Sequence, residues 1–253
     1  MTGQRIATRA AACAAVAVFA VAGTTAAQAD DDIEALPAEQ IADRSREALL
    51  DVSSVHLRAR GDLGEGRPPM TVNLSVDRNG NCAGGVDLGE GKGSVEIVKR
   101  ADSVWLKPDA DFWENQVPVG GSAFEAVLAG RYMKGSASDS RLRPVVEACD
   151  LDTFRELVSD NAGNDVGTFA KGEVTTVDGV RTVPVTRTLH GQKLTAYVDT
   201  GGEHYPVRIT VLGDGADAAV DFSGFDEPVP TATPSAEDTV DVSAVLGRAP
   251  AQS

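Results

Sequence analysis

The sequence predicts an α+β protein built on a curved antiparallel sheet, a half-barrel whose concave face is covered by helices. Apolar and polar residues alternate in short runs up to residue 107 and again from 168 to 222. Between these two sets, in residues 111–160, apolar residues recur at helical spacing. Asn-Gly, Asp-Gly and Gly-Gly pairs mark the corners, which favours tight turns between antiparallel neighbours.

The order of elements follows from these patterns. A first helix is expected from Pro37, since proline suits the first turn and the apolar stripe Ile41, Ala48, Leu49 and Val52 follows it. Strands are then predicted at residues 55–60, 72–77, 82–88, 94–100 and 103–107. Two or three helices follow, and the strands resume at 168–177, 180–189, 193–198, 207–212 and 218–222. A short helix is expected at 242–246.

The first 29 residues have the form of an export signal. Arg5 and Arg9 precede an uncharged apolar stretch at 10–22, and Ala27-Gln28-Ala29 has the form that a signal peptidase cleaves. The stretch is too short to span a bilayer, and Cys13 lies near its beginning, whereas a lipidation cysteine would follow it. We expect cleavage after Ala29 and a secreted or envelope-associated protein. Residues 30–253 are expected to form one domain with a proline-rich tail from about residue 228.

The composition argues against several partners. Removal of the signal takes the net charge from −15 to −17, because Arg5 and Arg9 are lost with it. Such a charge disfavours nucleic acid and anionic membrane surfaces, which would repel the protein. The length that remains after cleavage suits one domain with a sizeable core, or two small ones. No Pro/Ser-rich linker is visible in the interior of the sequence, so we expect a single domain, and we expect it to be a monomer.

Two cysteines, Cys82 and Cys149, remain after the signal. An even number of cysteines in an exported chain predicts a disulfide, and this one would contribute on the order of 4 kcal/mol by the chain-entropy estimate. The chain has no C-x-x-C motif and no histidine close to either cysteine in sequence, so a structural role is favoured over a redox role.

Five short segments carry a family resemblance: Asp102–Pro108, Phe112-Trp113, Gly130-Arg131-Tyr132, Tyr205–Ile209, and Phe222–Asp226 before a proline-rich stretch. They resemble the actinobacterial LppX/LprG-type family of exported lipid carriers, over roughly residues 33–246. The resemblance implies a half-barrel similar to that of LolA and LolB, with an apolar pocket for acyl chains. Those relatives are typically lipoproteins. Because this chain lacks the lipidation cysteine, a carrier role would operate without a membrane tether.

The implied ligand is a lipid or another apolar small molecule, and binding it needs no cofactor. Burial of each CH₂ contributes about 0.8 kcal/mol, so a chain of about ten methylenes could offset the cost of immobilising a lipid. The residues expected nearest the pocket or its mouth are Trp105, Phe112, Trp113, Phe124 and Tyr132. Trp113 is the strongest single candidate, because an indole combines an apolar body with a polar N–H. Ordinary core packing explains each of the five equally well.

Enzymatic and metal-binding motifs are missing from the sequence. The three histidines, His56, His190 and His204, lack the H-x-x-x-H spacing of a metal site, and there is no G-x-S-x-G elbow. The glycine-rich segment 89–93 lacks the spacing of a phosphate loop, and segment 77–81 lacks the closing glutamate of a calcium loop. The sequence therefore predicts a protein that is not an enzyme and holds no metal.

Two classes of function stay open at this point. One is a carrier with a cavity between sheet and helices. The other is a secreted or envelope-associated interaction module with a solid core, whose convex face or edges make transient contact with a protein or a membrane. An amphipathic strand has the same pattern over a cavity as over a packed core, so the alternation does not separate them.

Overall fold

The strands and helices follow the predicted order closely. A computed structural model describes residues 32–62, 69–160, 168–189 and 191–242. The strands in these ranges are β1 (Ser54–Asp62), β2 (Met70–Asp77), β3 (Cys82–Asp87), β4 (Ser94–Arg100), β5 (Ser103–Pro108), β6 (Tyr132–Ser136), β7 (Ala170–Lys171), β8 (Thr175–Val177), β9 (Val180–Leu189), β10 (Gln192–Asp199), β11 (Pro206–Gly213), β12 (Ala216–Ser223) and β13 (Thr239–Asp241).

The α-helices in the described ranges are α1 (Ala38–Asp51), α2 (Ala110–Gln116), α3 (Gly121–Leu128), α4 (Arg143–Ala148) and α5 (Leu151–Asp160), and short 3-10 helices lie at Ile33–Ala35 and Ser140–Leu142. The helix predicted from Pro37 is present, but it begins one residue later, at Ala38, and Pro37 is the residue that precedes it. The prediction of two or three helices between the two sets of strands was wrong, because this region contains four α-helices and also β6. With only five residues and Gly135 among them, β6 is too short for its alternation to stand out.

The described strands form one curved, open sheet in the order β13-β6-β5-β4-β3-β2-β1-β12-β11-β10-β9-β7, with β8 also beside β9. Neighbouring strands in these ranges are antiparallel except for β13, which pairs with β6 in parallel. The predicted α+β half-barrel is therefore confirmed. The predicted strand at 168–177 is instead split into β7 and β8. The split lies opposite Pro184 of β9, which has no N–H to donate to a neighbouring strand.

The pairing register divides the side chains of the sheet between two faces. Leu57 lies opposite Leu74 on one side and Phe222 on the other, and Ala196 lies between Val185 and Ile209. Because side chains alternate along each strand, these residues share one face. The concave face, against which the helices pack, is therefore apolar from β9 to β5, and the convex face carries most of the charged residues of the strands.

A tightly packed cluster fills one end of the concave face, and we call it the closed core. Leu74, Val76, Cys82, Cys149 and Leu151 in this cluster are each at most 1% exposed. The predicted disulfide is confirmed: Cys82 on β3 is bonded to Cys149 at the end of α4, with the two Cα atoms 5.2 Å apart. The other buried members are Leu49, Val52, Val55, Ile97 and Phe222.

The segment after β12 is tied to the same end of the sheet. The carboxylate of Asp226 accepts hydrogen bonds from the backbone N–H and the hydroxyl of Ser53, and from the hydroxyl of Tyr205. Tyr205 also stacks on Phe225, with ring centroids 4.0 Å apart. The bonds from Ser53 hold the pKa of Asp226 below its usual value. The chain then continues to β13, which pairs with β6. In the order of the strands, β1 to β5 lie between β12, where this segment starts, and β6, beside which it ends.

Some predictions fall on residues outside the described ranges. These are the signal peptide at 1–29, His190, and all of the predicted helix at 242–246 except Val242. The backbone N–H of Val242 donates to the carbonyl of Lys134 on β6, so this residue extends the contact between β13 and β6.

Candidate functional site

Helix α1 lies across β9, β10 and β11 and forms one wall of the candidate site. Ile41, Ser45 and Leu49 are buried along it, at the four-residue spacing that places side chains on one face of a helix. Ile41 packs with Val183 and Val198 of the sheet, and Leu49 belongs to the closed core. The helix therefore covers the sheet obliquely, from the β9 edge towards the closed core.

Both ends of α1 are fixed by polar contacts. Before it, Glu34 forms a two-point ion pair with Arg181 of β9, with N–O distances of 2.7 and 2.9 Å. The hydrogen bonds from Arg181 hold the pKa of Glu34 below its usual value. After it, the carbonyl of Val52 accepts hydrogen bonds from Arg78 and Arg155. These contacts hold the helix at a defined height above the sheet.

A groove with a volume of about 440 Å³ lies between α1 and the concave face. This size falls within the range of about 300–1,000 Å³ that is typical of small-molecule sites. Its lining residues are mostly apolar and come from α1, α5, the segment before β7, and strands β9 to β11: Glu39, Ala42, Asp43, Ser45, Arg46, Leu49, Phe154, Phe169, Val185, Arg187, Leu189, Leu194, Ala196, Pro206 and Ile209.

Four charged residues also line the groove. Arg46 lies on α1 one turn after Asp43, and a guanidinium nitrogen of Arg46 is 3.8 Å from a carboxylate oxygen of Asp43. Arg187 projects from the concave face of β9, with its guanidinium 5.5 Å from the ring centre of Phe169. Glu39 is exposed near the start of α1. The groove thus combines an apolar floor with charged groups on and beside α1.

The predicted ligand-contacting residues lie elsewhere. Phe112, Trp113 and Phe124 form an aromatic cluster on α2 and α3. The ring of Trp113 is stacked on that of Phe124, with ring centroids 5.9 Å apart, and is in edge-to-face contact with that of Phe112, with centroids 5.6 Å apart. Gly121 allows the close approach of these two helices, since a Cβ there would lie 2.1 Å from the carbonyl oxygen of Trp113. Trp113 is 7% exposed.

Trp105 and Tyr132 lie on the convex face of the sheet. The ammonium groups of Lys134 and Lys107 lie 5.3 Å from the ring centres of Trp105 and Tyr132, respectively. The hydroxyl of Tyr132 donates to Glu96 at 2.5 Å, and burial together with this bond raises the pKa of Tyr132 to about 12. None of the five described residues predicted to contact a ligand lines the groove, and their ligand role stays a prediction.

The sequence does not single out the residues that line the groove. Their patterns were visible, since the stripe of α1 and the alternation of β9 to β11 were both recognised. The sequence does not show where α1 lies over those strands, because that position depends on contacts between distant segments, such as the ion pair of Glu34 with Arg181. The sequence-based prediction of ligand contacts consists of aromatic residues, whereas the groove is lined mainly by aliphatic ones.

The described residues contain neither a metal-binding cluster nor a membrane-spanning helix. No group of three or more His, Cys, Asp or Glu side chains is arranged to hold a metal ion in the described part of the chain. Among the described helices, none combines the length and the apolar character needed to cross a membrane.

The fold is similar to that of several solved structures. LprF from Mycobacterium bovis aligns with a TM-score of 0.54 at 16% sequence identity, over 78% of this chain and 96% of LprF. The lipoprotein LppX from Mycobacterium tuberculosis aligns with a TM-score of 0.47 at 15% identity, over 77% of this chain and 98% of LppX. A LolA superfamily protein from Nitrosomonas europaea gives 0.28 at 12% identity, over 75% and 92% of the two chains.

Of these three comparisons, only that with LprF has a TM-score above 0.5, and it shows that the two proteins share a fold. The half-barrel that the sequence motifs implied through their resemblance to the LppX/LprG group is thereby supported. No protein-family model matches the chain, and no curated protein sequence matches it significantly.

Proposed function

We propose that this protein is an exported, non-catalytic carrier that binds a lipid or another apolar molecule in the groove between α1 and the sheet. The observation that carries the proposal is the groove itself, about 440 Å³ of space lined mainly by aliphatic and aromatic side chains. Amphipathic strands normally bury such a face in a packed core, as the closed core does. A space of this size against the same face is suited to an apolar ligand.

The energetics of binding agree with this proposal. Each methylene group transferred from water into the groove contributes about 0.8 kcal/mol. A chain of about ten methylenes therefore offsets the entropy lost when a ligand is immobilised. No bond needs to be made or broken, so the carrier requires no catalytic side chain and no cofactor. The predicted signal at residues 1–29 supports export, and the sequence predicts a monomer without a lipid anchor.

The test begins with native mass spectrometry of the mature protein, purified without detergent and then extracted with organic solvent. A stoichiometric lipid that is released on denaturation is expected. Ala196 on β10 faces the groove, and the larger side chain of Ala196→Trp fills part of the space in which the ligand lies. This substitution should weaken the binding of a fluorescent fatty acid by at least about tenfold, since several methylenes lose their contacts.

The matched control is Ala219→Trp on β12. Ala219 is half-buried, as Ala196 is, but it lies on the convex face beside Arg60 and Thr210. The control should bind the fluorescent fatty acid as the wild type does. The carrier function is contradicted if the mature wild type has a clean mass and binds no added fatty acid or phospholipid.

An interaction module is a second candidate, and one observation favours it. Val119, Phe124 and Val127, on and beside α3, are large apolar side chains that are 90, 46 and 65% exposed. Exposed apolar patches often mark contacts with proteins or membranes. Under this function the groove stays empty of lipid, so the same mass measurement separates the two candidates.

A further inference from the structure

Three residues line the groove and also belong to the closed core or pack against it: Leu49 of α1, Phe154 of α5 and Ile209 of β11. Because they come from both helices and from the sheet, they form the wall at which the groove ends and the closed core begins. Phe154 is the largest of the three and is the one described residue of α5 that lines the groove. Its ring centre lies 6.0 Å from that of Phe222, which is itself 5% exposed in the closed core.

The position of the Phe154 ring is fixed by the first turns of α5. Cys149, two residues before the helix, is held to β3 by the disulfide, and Leu151 is 1% exposed in the closed core. The guanidinium of Arg155, the residue after Phe154, donates a hydrogen bond to the carbonyl of Val52 at 2.6 Å. A ring that is packed on one side and carried by an anchored backbone does not move aside at low cost, because protein interiors are densely packed. Phe154 therefore limits the groove at this end.

The volume of the groove sets the size of the ligand that it encloses. An apolar cavity of about 150 Å³ holds one benzene molecule, which corresponds to about 25 Å³ for each carbon atom. On that scale the groove volume of about 440 Å³ accommodates about 18 carbon atoms, which is one long alkyl chain. A lipid with two long chains would leave one chain in water, where its methylene groups gain nothing from burial, or would need the space that the closed core fills.

We propose that the groove binds lipids with a single alkyl chain, and that Phe154 is the specificity-determining residue that sets the longest chain it encloses. The chain lies between α1 and the floor of the groove, on residues such as Leu194, and its end meets the ring of Phe154. This inference rests on the proposed carrier function, which by itself leaves the number and the length of the chains open.

Lysophosphatidylcholines with saturated chains from octanoyl to eicosanoyl test the chain length. Each competes with a fluorescent fatty acid for the delipidated mature protein, below the aggregation concentration of the lipid. We expect the affinity to rise about fourfold with each added methylene group while the chain still lengthens inside the groove. The affinity should then level off at a chain of about 18 carbon atoms or fewer, because further methylene groups stay in water.

Dioctanoyl phosphatidylcholine tests the number of chains in the same competition assay. It has the same head group as palmitoyl lysophosphatidylcholine and the same number of chain carbons, divided between two chains. We expect the single-chain lipid to bind at least about tenfold more tightly, since one of the two octanoyl chains stays outside the groove.

Substitutions of Phe154 move the chain length at which the affinity levels off. Phe154→Ala should shift it by about four methylene groups towards longer chains, because the ring that is removed fills the space of about six carbon atoms and its surroundings relax in part. Phe154→Trp should shift it in the opposite direction, since the larger ring extends into the groove. Phe225→Ala is the matched control. Phe225 also packs against the closed core but is not among the described residues that line the groove, so the control should level off where the wild type does.

The outcomes separate the inference from the function on which it depends. A wild-type affinity that still rises at the eicosanoyl chain would overturn the length limit, and equal affinity for the one-chain and two-chain lipids would overturn the preference for a single chain. Both results leave the carrier function in place. A limit that is unchanged in the folded Phe154 variants overturns the assignment to Phe154. Binding of none of the lipids contradicts the carrier function, and the inference with it. The wild-type measurements hold even if a variant fails to fold.

Discussion

The closed core and the groove are formed on the same concave face but differ in what covers them. Over the closed core, α4 and α5 are held against the sheet by the Cys82–Cys149 disulfide, and Leu74 and Leu151 are each 1% exposed. Over the groove, α1 lies across β9 to β11, and Leu194 and Ile209 are only half-buried.

The difference shows that strand alternation makes an apolar face but does not decide whether that face becomes a core or a cavity. The outcome depends on how the covering helices are held against the sheet. Where a helix is bonded directly to a strand, as α4 is through the disulfide, the side chains interdigitate and leave no cavity between them. Helix α1 is instead held near its two ends, by the packing of Ile41 and Leu49 on the sheet and by polar contacts before and after the helix, and the groove lies between the helix and the sheet.

The largest expected effect on stability comes from removal of the Cys82–Cys149 disulfide. The double substitution Cys82→Ser and Cys149→Ser should lower the free energy of unfolding by about 4 kcal/mol, because the disulfide closes a loop spanning 67 residues. Urea unfolding of the oxidised wild type and the variant measures this loss. The variant should not respond to reductant, whereas the wild type should lose a similar amount of stability on reduction. A loss below about 1 kcal/mol would show that packing alone holds α4.

A pair of leucines then tests the contrast directly. Leu74→Ala should cost about 3 kcal/mol, because it leaves a cavity in packed surroundings. Leu194→Ala should cost about 1 kcal/mol, since a half-buried side chain beside an existing groove loses less contact. Urea unfolding measures both variants. Leu194→Ala should also weaken fatty-acid binding, while Leu74→Ala leaves the affinity of the folded protein unchanged. Equal costs for the two substitutions would remove the distinction between core and groove.

Much of this fold could be predicted from the sequence because its signals are local. The alternation of β9 to β11 and the start of α1 directly after Pro37 each depend on neighbouring residues, and the structure confirms the strands and the helix. The Cys82–Cys149 pairing was equally accessible, since two cysteines allow one bond. Strand β6 was missed because its five residues carry too short a pattern.

The candidate site could not be predicted, because it depends on contacts between distant segments. Trp105 and Tyr132 belong to strands whose faces are fixed only by register, and register places them on the convex side. Trp113 is used to pack α2 against α3. Arg46 and Arg187 are more than a hundred positions apart, and only the placement of α1 brings both to one groove.

The smallest of these expected effects concerns Asp226, in the segment that follows β12 and is bonded to the end of the sheet that carries the closed core. Asp226→Asn removes the charge that accepts hydrogen bonds from Ser53 and Tyr205. Asparagine tolerates the positive φ of 59° at this position, so the backbone should be retained. We expect a loss of about 1 kcal/mol at neutral pH, since hydrogen bonds to a charged acceptor are replaced by weaker ones.

The pH dependence of that loss identifies its cause. The bonds from Ser53 lower the pKa of Asp226 in the folded protein, so its contribution is complete above the unfolded pKa of about 3.9 and disappears as the pH falls through the lower folded value. The stability gap between wild type and Asp226→Asn should therefore be full at neutral pH and shrink in acid. Asp217→Asn, at an exposed position on β12, serves as the control and should show no such gap. A stability difference between wild type and Asp226→Asn that stays constant into acid would mean that the charge of Asp226 is not what stabilises this contact. Affinity for ligand should be unchanged in both variants, because neither residue lines the groove.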